Sequence, residues 1–310
     1  MANLKEVKGR IQSVTSTQQI TKAMKMVAAA KLRRAQDRIL QMRPYSQRLS
    51  AIIQNVSKAS QNDDMPNPYG EERSINNILF VVVTSDRGLC GAFNSNVFKF
   101  TRSIIDEKYS YLERSGNIHV MPIGKRSFDY FTKRKFKVVG DYHGLFGDLS
   151  FENAREAAQH AMDGFLNEKY DRVILVFNEF RNVATQFLRS EQLLPILPSE
   201  PEVASVEEKP AREEEKKKLK PEVDYLFEPS KEVIFEEIIP NSLKVQFYKA
   251  VLESNASEHG ARMTAMDQAT DNAGELLKEL KLTYNRTRQA AITKEILEIV
   301  GGAEALSQGN

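Results

Sequence analysis

The sequence predicts an α/β protein in which long helices at the two ends of the chain pair as an antiparallel coiled coil. Between them it predicts a Rossmann-like central domain with a mostly parallel sheet. Two observations carry this prediction. The segments 1–60 and 241–310 place apolar or small residues at steps of three and four, as amphipathic helices do. The segment between them alternates short apolar runs with helical patterns, which is typical of a parallel sheet with covered faces.

The N-terminal segment 1–60 is predicted to be one long helix. Its apolar or small residues alternate steps of three and four, and three polar residues keep the register in the middle. The apolar or small members are Leu4, Val7, Ile11, Val14, Ala28, Leu32, Ala35, Ile39 and Met42, and the polar members are Gln18, Thr21 and Lys25. No proline interrupts the series before Pro44, so the pattern is far longer than that of an ordinary globular helix and indicates a coiled-coil seam.

The C-terminal segment 241–310 is predicted to be the second long helix, capped by Asn241 or Ser242 after Pro240. Small residues dominate its first half: Ala256, Ser257, Gly260, Ala261, Ala265, Ala269, Ala273 and Gly274. Its end is apolar at helical steps, with Ile292, Ile296, Ile299 and Val300. Small side chains let two helix axes approach closely, which favours a narrow pair of helices.

The central domain is predicted over residues 75–197. Strands are expected at 78–83, 118–123, 136–139, 172–177 and 183–194, and helices at 94–111, around Phe128 and at 151–166. Continuous runs of β-branched residues such as 78–83 are typical of strands that are buried on both faces. The last strand is expected at an edge or in a hairpin.

Residues 198–224 differ in composition and are predicted to be a mobile charged insertion, followed by a connector over 225–240. The insertion holds several prolines and an alternation of glutamate and lysine blocks, with few large apolar residues. Such a segment buries too little surface to offset the entropy cost of ordering. A plain surface loop is favoured there over a short charged helix.

Composition excludes several classes of site. The net charge of +2 gives no bulk preference for nucleic acid, and the single cysteine, Cys90, allows no intrachain disulfide. The four histidines show no ligand spacing, so no metal is predicted. No apolar run approaches the about 20 residues that span a bilayer, and an apolar signal-peptide core is not expected at the N-terminus. The basic stretch 22–48 fits a solvated face or a docking site for an acidic partner about equally.

The turn at 84–91 lies where a predicted strand ends, the position of phosphate-binding loops in doubly wound folds. It lacks the glycine spacing and the lysine of those loops, so a structural turn is favoured, with Gly88 and Gly91 supplying unusual backbone angles. Cys90 is expected to be buried rather than nucleophilic. The carboxylate pairs at 63–64 and 71–72 lie in a polar loop, and no catalytic residue or cofactor site is predicted.

Four separated segments resemble the γ subunit of F-type rotary ATP synthases. They are residues 18–33, 84–94, 256–273 and 292–305, in the order in which that family has them. The resemblance covers essentially the whole chain except the insertion. Photosynthetic members carry a regulatory cysteine pair in an insertion, and this chain has no cysteine there. No redox switch is therefore expected.

The resemblance implies a non-catalytic central-stalk rotor that couples rotation of a membrane ring to conformational changes in the catalytic β subunits. It implies one copy per complex and three kinds of partner: a hexameric ring of α and β subunits, an ε subunit and the membrane rotor ring. The expected location is the cytoplasmic side of the cell inner membrane, as a peripheral protein, with no cofactor and no nucleic acid.

The resemblance also implies which residues contact partners. Met24 and Lys25 match a turn that faces an acidic lever of a β subunit. Arg262, Arg288, Gln289 and Thr293 match positions at or near β-subunit loops, and Ile296 and Val300 match the apolar tip of the shaft. Two arginines and an amide can form geometrically specific charge-assisted hydrogen bonds.

Two alternatives from other classes remain at this stage. One is an α/β enzyme that binds a nucleotide on the central sheet, which would need the phosphate loop and polar catalytic groups that are missing. The other is a coiled-coil scaffold or nucleic-acid-binding rod that uses the basic stretch 22–48. Strong, salt-dependent affinity for DNA would favour this alternative.

Overall fold

A computed structural model of the chain describes residues 4–60, 68–183, 185–196 and 237–308. Within these ranges, the side chains of 46–48, 50–60 and 304–308 lie outside the description. The predicted insertion 198–224 and the connector up to residue 236 also lie outside it.

The described elements follow the predicted order of helix, alternating strands and helices, and helix. The helices are α1 (Leu4–Ser60), α2 (Phe93–Lys108), α3 (Ser110–Arg114), α4 (Lys125–Lys133), α5 (Phe151–Leu166) and α6 (Ile239–Gln308). The strands are β1 (Ile78–Val83), β2 (Ile118–Ile123), β3 (Lys137–Val138), β4 (Arg172–Phe180) and β5 (Gln186–Leu194). A single 3-10 turn at Leu145–Gly147 precedes α5.

The five strands form one sheet in the order β3-β2-β1-β4-β5. Strands β1 to β4 are parallel neighbours, and β5 pairs antiparallel with β4 at an edge. Every residue of β1 is buried, which explains why its sequence is continuously apolar. The prediction of a mostly parallel sheet with an edge strand after β4 is confirmed.

The chain divides into two compact units, residues 30–261 and residues 1–29 with 262–310. In the first of these, two apolar cores lie on opposite faces of the sheet. One face, with Leu79 and Val81, packs against α5 and the first turns of α6, including Phe247. The other face, with Phe80, packs against α2 and α4. Helices therefore cover both faces of the sheet.

The second unit is the antiparallel pairing of the N-terminal part of α1 with α6. Every predicted seam position of α1 in this unit is buried or half-buried, and Val7 and Ala28 are the most buried. On α6 the buried positions are Met266, Ala273 and Leu277. Gly274 lies opposite the Gln18 amide, where a methyl group would be 3.0 Å from its nitrogen. The prediction of an antiparallel coiled coil is confirmed. Of the predicted small residues, Gly274 faces α1, whereas Ser257 and Gly260 contact the region around the end of β4.

Among the element boundaries that differ from the prediction, two have identifiable reasons. Helix α6 begins at Ile239, so neither Asn241 nor Ser242 caps it. Pro240 lies in the first turn, where a missing N–H removes no intrahelical hydrogen bond. The helix predicted over 94–111 breaks at Tyr109, which leaves the helical region and is buried with its ring against Phe80, at a centroid distance of 5.9 Å.

Candidate partner-binding surfaces

A layer of polar contacts lies in the middle of the α1–α6 seam. The Lys25 ammonium pairs with the Asp267 carboxylate, and the hydroxyls of Thr21 and Thr270 are 2.8 Å apart. The Gln18 side-chain amide donates to the carbonyl of Thr270 at 3.4 Å. Lys25, predicted to contact a partner, is thus already ion-paired within the helix pair, and its side chain remains 39 % exposed.

Met24 lies beside an apolar stripe that the sequence reasoning missed. Met24 is half-buried, while Ile20, Met26 and Val27 are all more than half exposed. Ile20, Met24 and Val27 follow one another at steps of four and three, so they share a helix face adjacent to the seam. The sequence did contain a signal for this stripe, because Ile20, Met24 and Val27 are apolar but do not fall in the heptad register of the seam.

The predicted polar contacts on α6 form two separate groups. Arg262 is half-buried, and Arg288 and Gln289 are exposed. At about 1.5 Å of rise per residue, Arg262 and Arg288 are roughly 39 Å apart along the helix. Thr293 is exposed, but its hydroxyl donates to the carbonyl of Gln289 at 2.9 Å, so it is partly engaged within the helix.

The end of α6 carries large apolar side chains on its surface. Ile296 and Val300 are each 54 % exposed, and Ile292 and Ile299 are also exposed. Leu297, which was not among the predicted contacts, is exposed as well. A contiguous apolar surface of this kind indicates a site for a protein partner. We name residues 292–300 the apolar end of α6.

The turn at 84–91 is held by contacts within the protein. The N-terminal amides of α4, which would otherwise attract an anion, receive protein oxygens: the amide of Lys125 donates to Asp86 at 3.1 Å, and that of Ser127 donates to the Thr84 hydroxyl at 2.9 Å. The arrangement fits the predicted structural turn and leaves these two amides occupied.

Residues within the same turn depart from the prediction in one respect. Positive φ angles occur at Leu89 and Gly91, not at Gly88. Cys90 is buried, as predicted, and its sulfur accepts from the Asn94 side-chain amide at 3.3 Å. Leu89 combines its positive φ angle with an exposed side chain.

Metal-ligand clusters and membrane-spanning helices are both absent from the described ranges. These residues contain no group of three or more histidine, cysteine, aspartate or glutamate side chains that could hold a metal ion. Across the same part of the chain, no helix combines the length and the apolar character needed to cross a bilayer.

Known proteins with similar sequences match along the full chain. A family model described as ATP synthase matches residues 3–306. The ATP synthase gamma chain of Cytophaga hutchinsonii is 58 % identical, with 99 % of this chain and 100 % of that protein aligned. The gamma chain of Chloroherpeton thalassium is 50 % identical, with 99 % of each chain aligned.

Solved structures show that the fold also matches. A chain of the Euglena gracilis mitochondrial ATP synthase, in an OSCP/F1/c-ring structure, aligns with a TM-score of 0.63 at 21 % identity, over 99 % of this chain and 95 % of that one. A chain of the Tetrahymena thermophila mitochondrial ATP synthase, in a central stalk and c-ring structure, gives 0.55 at 22 % identity, over 81 % and 99 %. Together with the full-length relatives, these findings show that the chain belongs to the ATP synthase gamma chain family.

Proposed function

We propose that this chain is the central-stalk rotor subunit of a proton-translocating F-type ATP synthase. In this role it couples rotation of the membrane rotor ring to conformational changes in the catalytic β subunits and performs no chemistry itself. Membership of the gamma chain family supports the proposal, since relatives aligned over their whole length bear that name. The family evidence favours neither a nucleotide-binding enzyme nor a nucleic-acid-binding rod.

The observation that carries the proposal is the apolar end of α6. Its exposed isoleucines and valine would be unfavourable in water, and a surrounding ring of α and β subunits would remove them from it. Apolar contact is non-directional, so a helix enclosed in this way has no strongly preferred angle. An apolar tip can therefore be held and still turn.

Coupling needs directional contacts as well, because a rotor that bound all β conformers equally would shift none of them. Arg288 and Gln289 are exposed on α6 and can donate to β-subunit loops, with Thr293 beside them. Arg262 and Met24 supply contacts elsewhere on the two helices. Lys25 takes part through its exposed portion while it stays paired with Asp267.

The remaining partners follow from the same proposal. One copy of the chain serves each α/β hexamer, and the central sheet domain meets the ε subunit and the membrane rotor ring. The protein is peripheral, on the cytoplasmic side of the cell inner membrane. The Tetrahymena neighbour comes from a structure of a central stalk and c-ring, which supports this arrangement by analogy.

Purification of the chain from native membranes tests the proposal. A tag on the chain should bring down α, β and ε subunits at one copy of the chain per hexamer. Ile296→Asp should reduce the recovered α and β subunits, because it places a charge in the apolar end of α6. Glu295→Gln, at the neighbouring exposed position, should not. A chain recovered from membranes without α and β subunits would refute the proposal.

A further inference from the structure

One ion pair in the unit 30–261 joins three elements at a single point. Arg43 of α1 donates through Nε and Nη2 to Glu253 of α6, at 3.2 and 3.1 Å. Arg43 Nη2 also donates to the carbonyl of Phe180, the last residue of β4, at 3.0 Å. The amide of Phe180 donates in turn to Glu253 Oε2 at 3.0 Å. We name Arg43, Glu253 and the backbone of Phe180 the three-element clamp.

Both main-chain groups of Phe180 are therefore bound by side chains from the two long helices. The side chain of Glu253 is 2 % exposed, and that of Arg43 is 38 % exposed. A buried carboxylate is tolerated only when it is paired and hydrogen-bonded, and here both of its oxygens accept. Loss of Arg43 would leave the buried Glu253 carboxylate without its counter-charge.

Helix α6 makes further contact with the end of β4 beside the clamp. The hydroxyl of Ser257, one turn after Glu253, donates to the carbonyl of Asn178 at 3.1 Å. At Gly260, a methyl group would stand 3.5 Å from the Phe180 ring, so the helix backbone passes close to the strand end. The clamp thus lies where α6 crosses the strand, and Arg43 adds α1 to the same point.

We propose that Arg43 and Glu253 are positioning residues that carry torque between the sheet and the two long helices. The inference rests on the proposed rotor function. Apolar packing alone is non-directional and lets surfaces slide, whereas the planar guanidinium fork and the charge-assisted hydrogen bonds fix relative angles. The clamp joins the backbone of β4 to one side chain of α1 and one of α6. A rotation of any one of these elements is therefore transmitted to the other two.

Glu253→Gln is the primary variant because it is nearly isosteric and keeps only one acceptor oxygen. That oxygen cannot serve Phe180 and Arg43 as the two carboxylate oxygens do. Amide exchange at Phe180 in the assembled complex should accelerate about tenfold or more, the factor that corresponds to loss of a hydrogen bond to a charged group. Glu179→Gln is the matched control: it breaks the neighbouring Glu179–Arg189 pair, which joins only β4 and β5.

Torque transfer is read from torsional stiffness, which a purely stabilising role would not change in a folded complex. With the α/β ring fixed to a surface and a bead on the sheet domain, the mean-square angular fluctuation of the bead should rise in Glu253→Gln and stay unchanged in Glu179→Gln. Arg43→Lys keeps the charge but not the planar fork, and it should show the same direction of change. This second variant decides the question if Glu253→Gln does not assemble.

The outcomes separate the inference from the proposed function. Rotation of the bead on the native chain supports the rotor function independently of the clamp. Unchanged stiffness in both clamp variants, in complexes that still rotate, would overturn the inference and leave the rotor function standing. Absence of rotation in the native complex would instead overturn the proposed function, and the inference with it.

Discussion

Met24 and Lys25 are adjacent on α1, yet their surroundings differ. Lys25 is held by Asp267 across the seam, and Met24 lies on the face that also presents Ile20 and Val27. A methionine there offers soft, adaptable contact to a passing partner without a fixed hydrogen-bond direction. Lys25 therefore belongs to the internal seam, and Met24 lies on the neighbouring face.

Substitution of Met24 tests that outer surface. Met24→Lys adds a cation beside Lys22 and Lys25, and against an acidic β-subunit surface it would add an ion pair worth under ~1 kcal/mol when exposed and ~2 kcal/mol when desolvated. Such a contact favours some rotor angles over others, so Met24→Lys should lower the protons pumped per ATP hydrolysed in membrane vesicles. Met24→Ala should stay close to wild type. Unchanged coupling in Met24→Lys would show that Met24 does not face β.

His119 gives the sheet domain a predictable dependence on pH. Burial lowers the pKa of His119 below its ordinary value of 6.5, and the charges of Lys137 and Lys169 lower it further. The folded state then binds fewer protons than the unfolded state near that pH, so stability falls as pH drops through 6.5.

His119→Gln should therefore reduce the loss of stability between roughly one pH unit above and one unit below the ordinary pKa of histidine. Urea unfolding at the two pH values measures the difference. Lys137→Met should reduce it partially, since it removes one of the two repelling cations. An identical pH dependence in His119→Gln and the wild type would contradict this account.

At the scale of elements, the α1–α6 seam differs from an ordinary apolar coiled coil. Its middle is polar, and the side chains there bind specific partners on the facing helix. Polar residues at seam positions reduce stability but specify register, because only one alignment satisfies them. Gly274 leaves room for the Gln18 side chain, and the polar layer explains which residues face each other.

Charge reversal tests this register. Lys25→Asp places two carboxylates together and should destabilise the helix pair, by about 1 kcal/mol or less because both side chains are partly exposed. Lys25→Asp combined with Asp267→Lys should recover most of the loss. Denaturant unfolding of the wild type, the two single variants Lys25→Asp and Asp267→Lys, and the double variant gives the coupling energy between the two residues. A double variant no more stable than Lys25→Asp alone would mean that the two residues do not pair.

The connection between β2 and α4 depends on one glycine. Gly124 has a φ of +97°, and a methyl group there would collide with the carbonyl oxygen of Thr84. Gly124→Ala should cost about 1–3 kcal/mol from backbone strain alone, with the collision adding to it. Gly144→Ala is the matched control, because nothing lies within 4 Å of a methyl group at that position. Thermal unfolding of the two variants tests this expectation: Gly124→Ala should melt at a lower temperature than Gly144→Ala. Equal melting temperatures would contradict the claim that the connection requires a glycine at position 124.

Over the whole molecule, periodicity was enough to predict the sheet, the two terminal helices and their pairing. Runs such as Ile78–Val83 are apolar because both faces are covered, and the seam repeats because one face of α1 is covered. Individual side-chain contacts were harder to predict from the sequence. The pairing of Lys25 with Asp267 spans 242 positions in sequence and depends on helix register, which composition does not encode.

The remaining departures have a similar origin in tertiary structure. Leu89, not Gly88, takes a positive φ, because the turn is shaped by its contacts with α4 and Asn94 rather than by residue preference. The clamp of Arg43, Glu253 and Phe180 joins three elements that no local pattern connects. The contacts with β subunits stay predictions, since they belong to an assembly and not to this chain alone.

The central claim is that the chain turns inside an α/β ring, and direct observation of rotation tests it best. Cys90 is the only cysteine and is buried, so Lys108→Cys on the exposed surface of α2 provides one accessible thiol for a bead. With the α/β ring fixed to a surface and ATP added, the account predicts unidirectional rotation with one dwell for each β subunit in a turn. A bead that stays fixed on a complex that still hydrolyses ATP would contradict it.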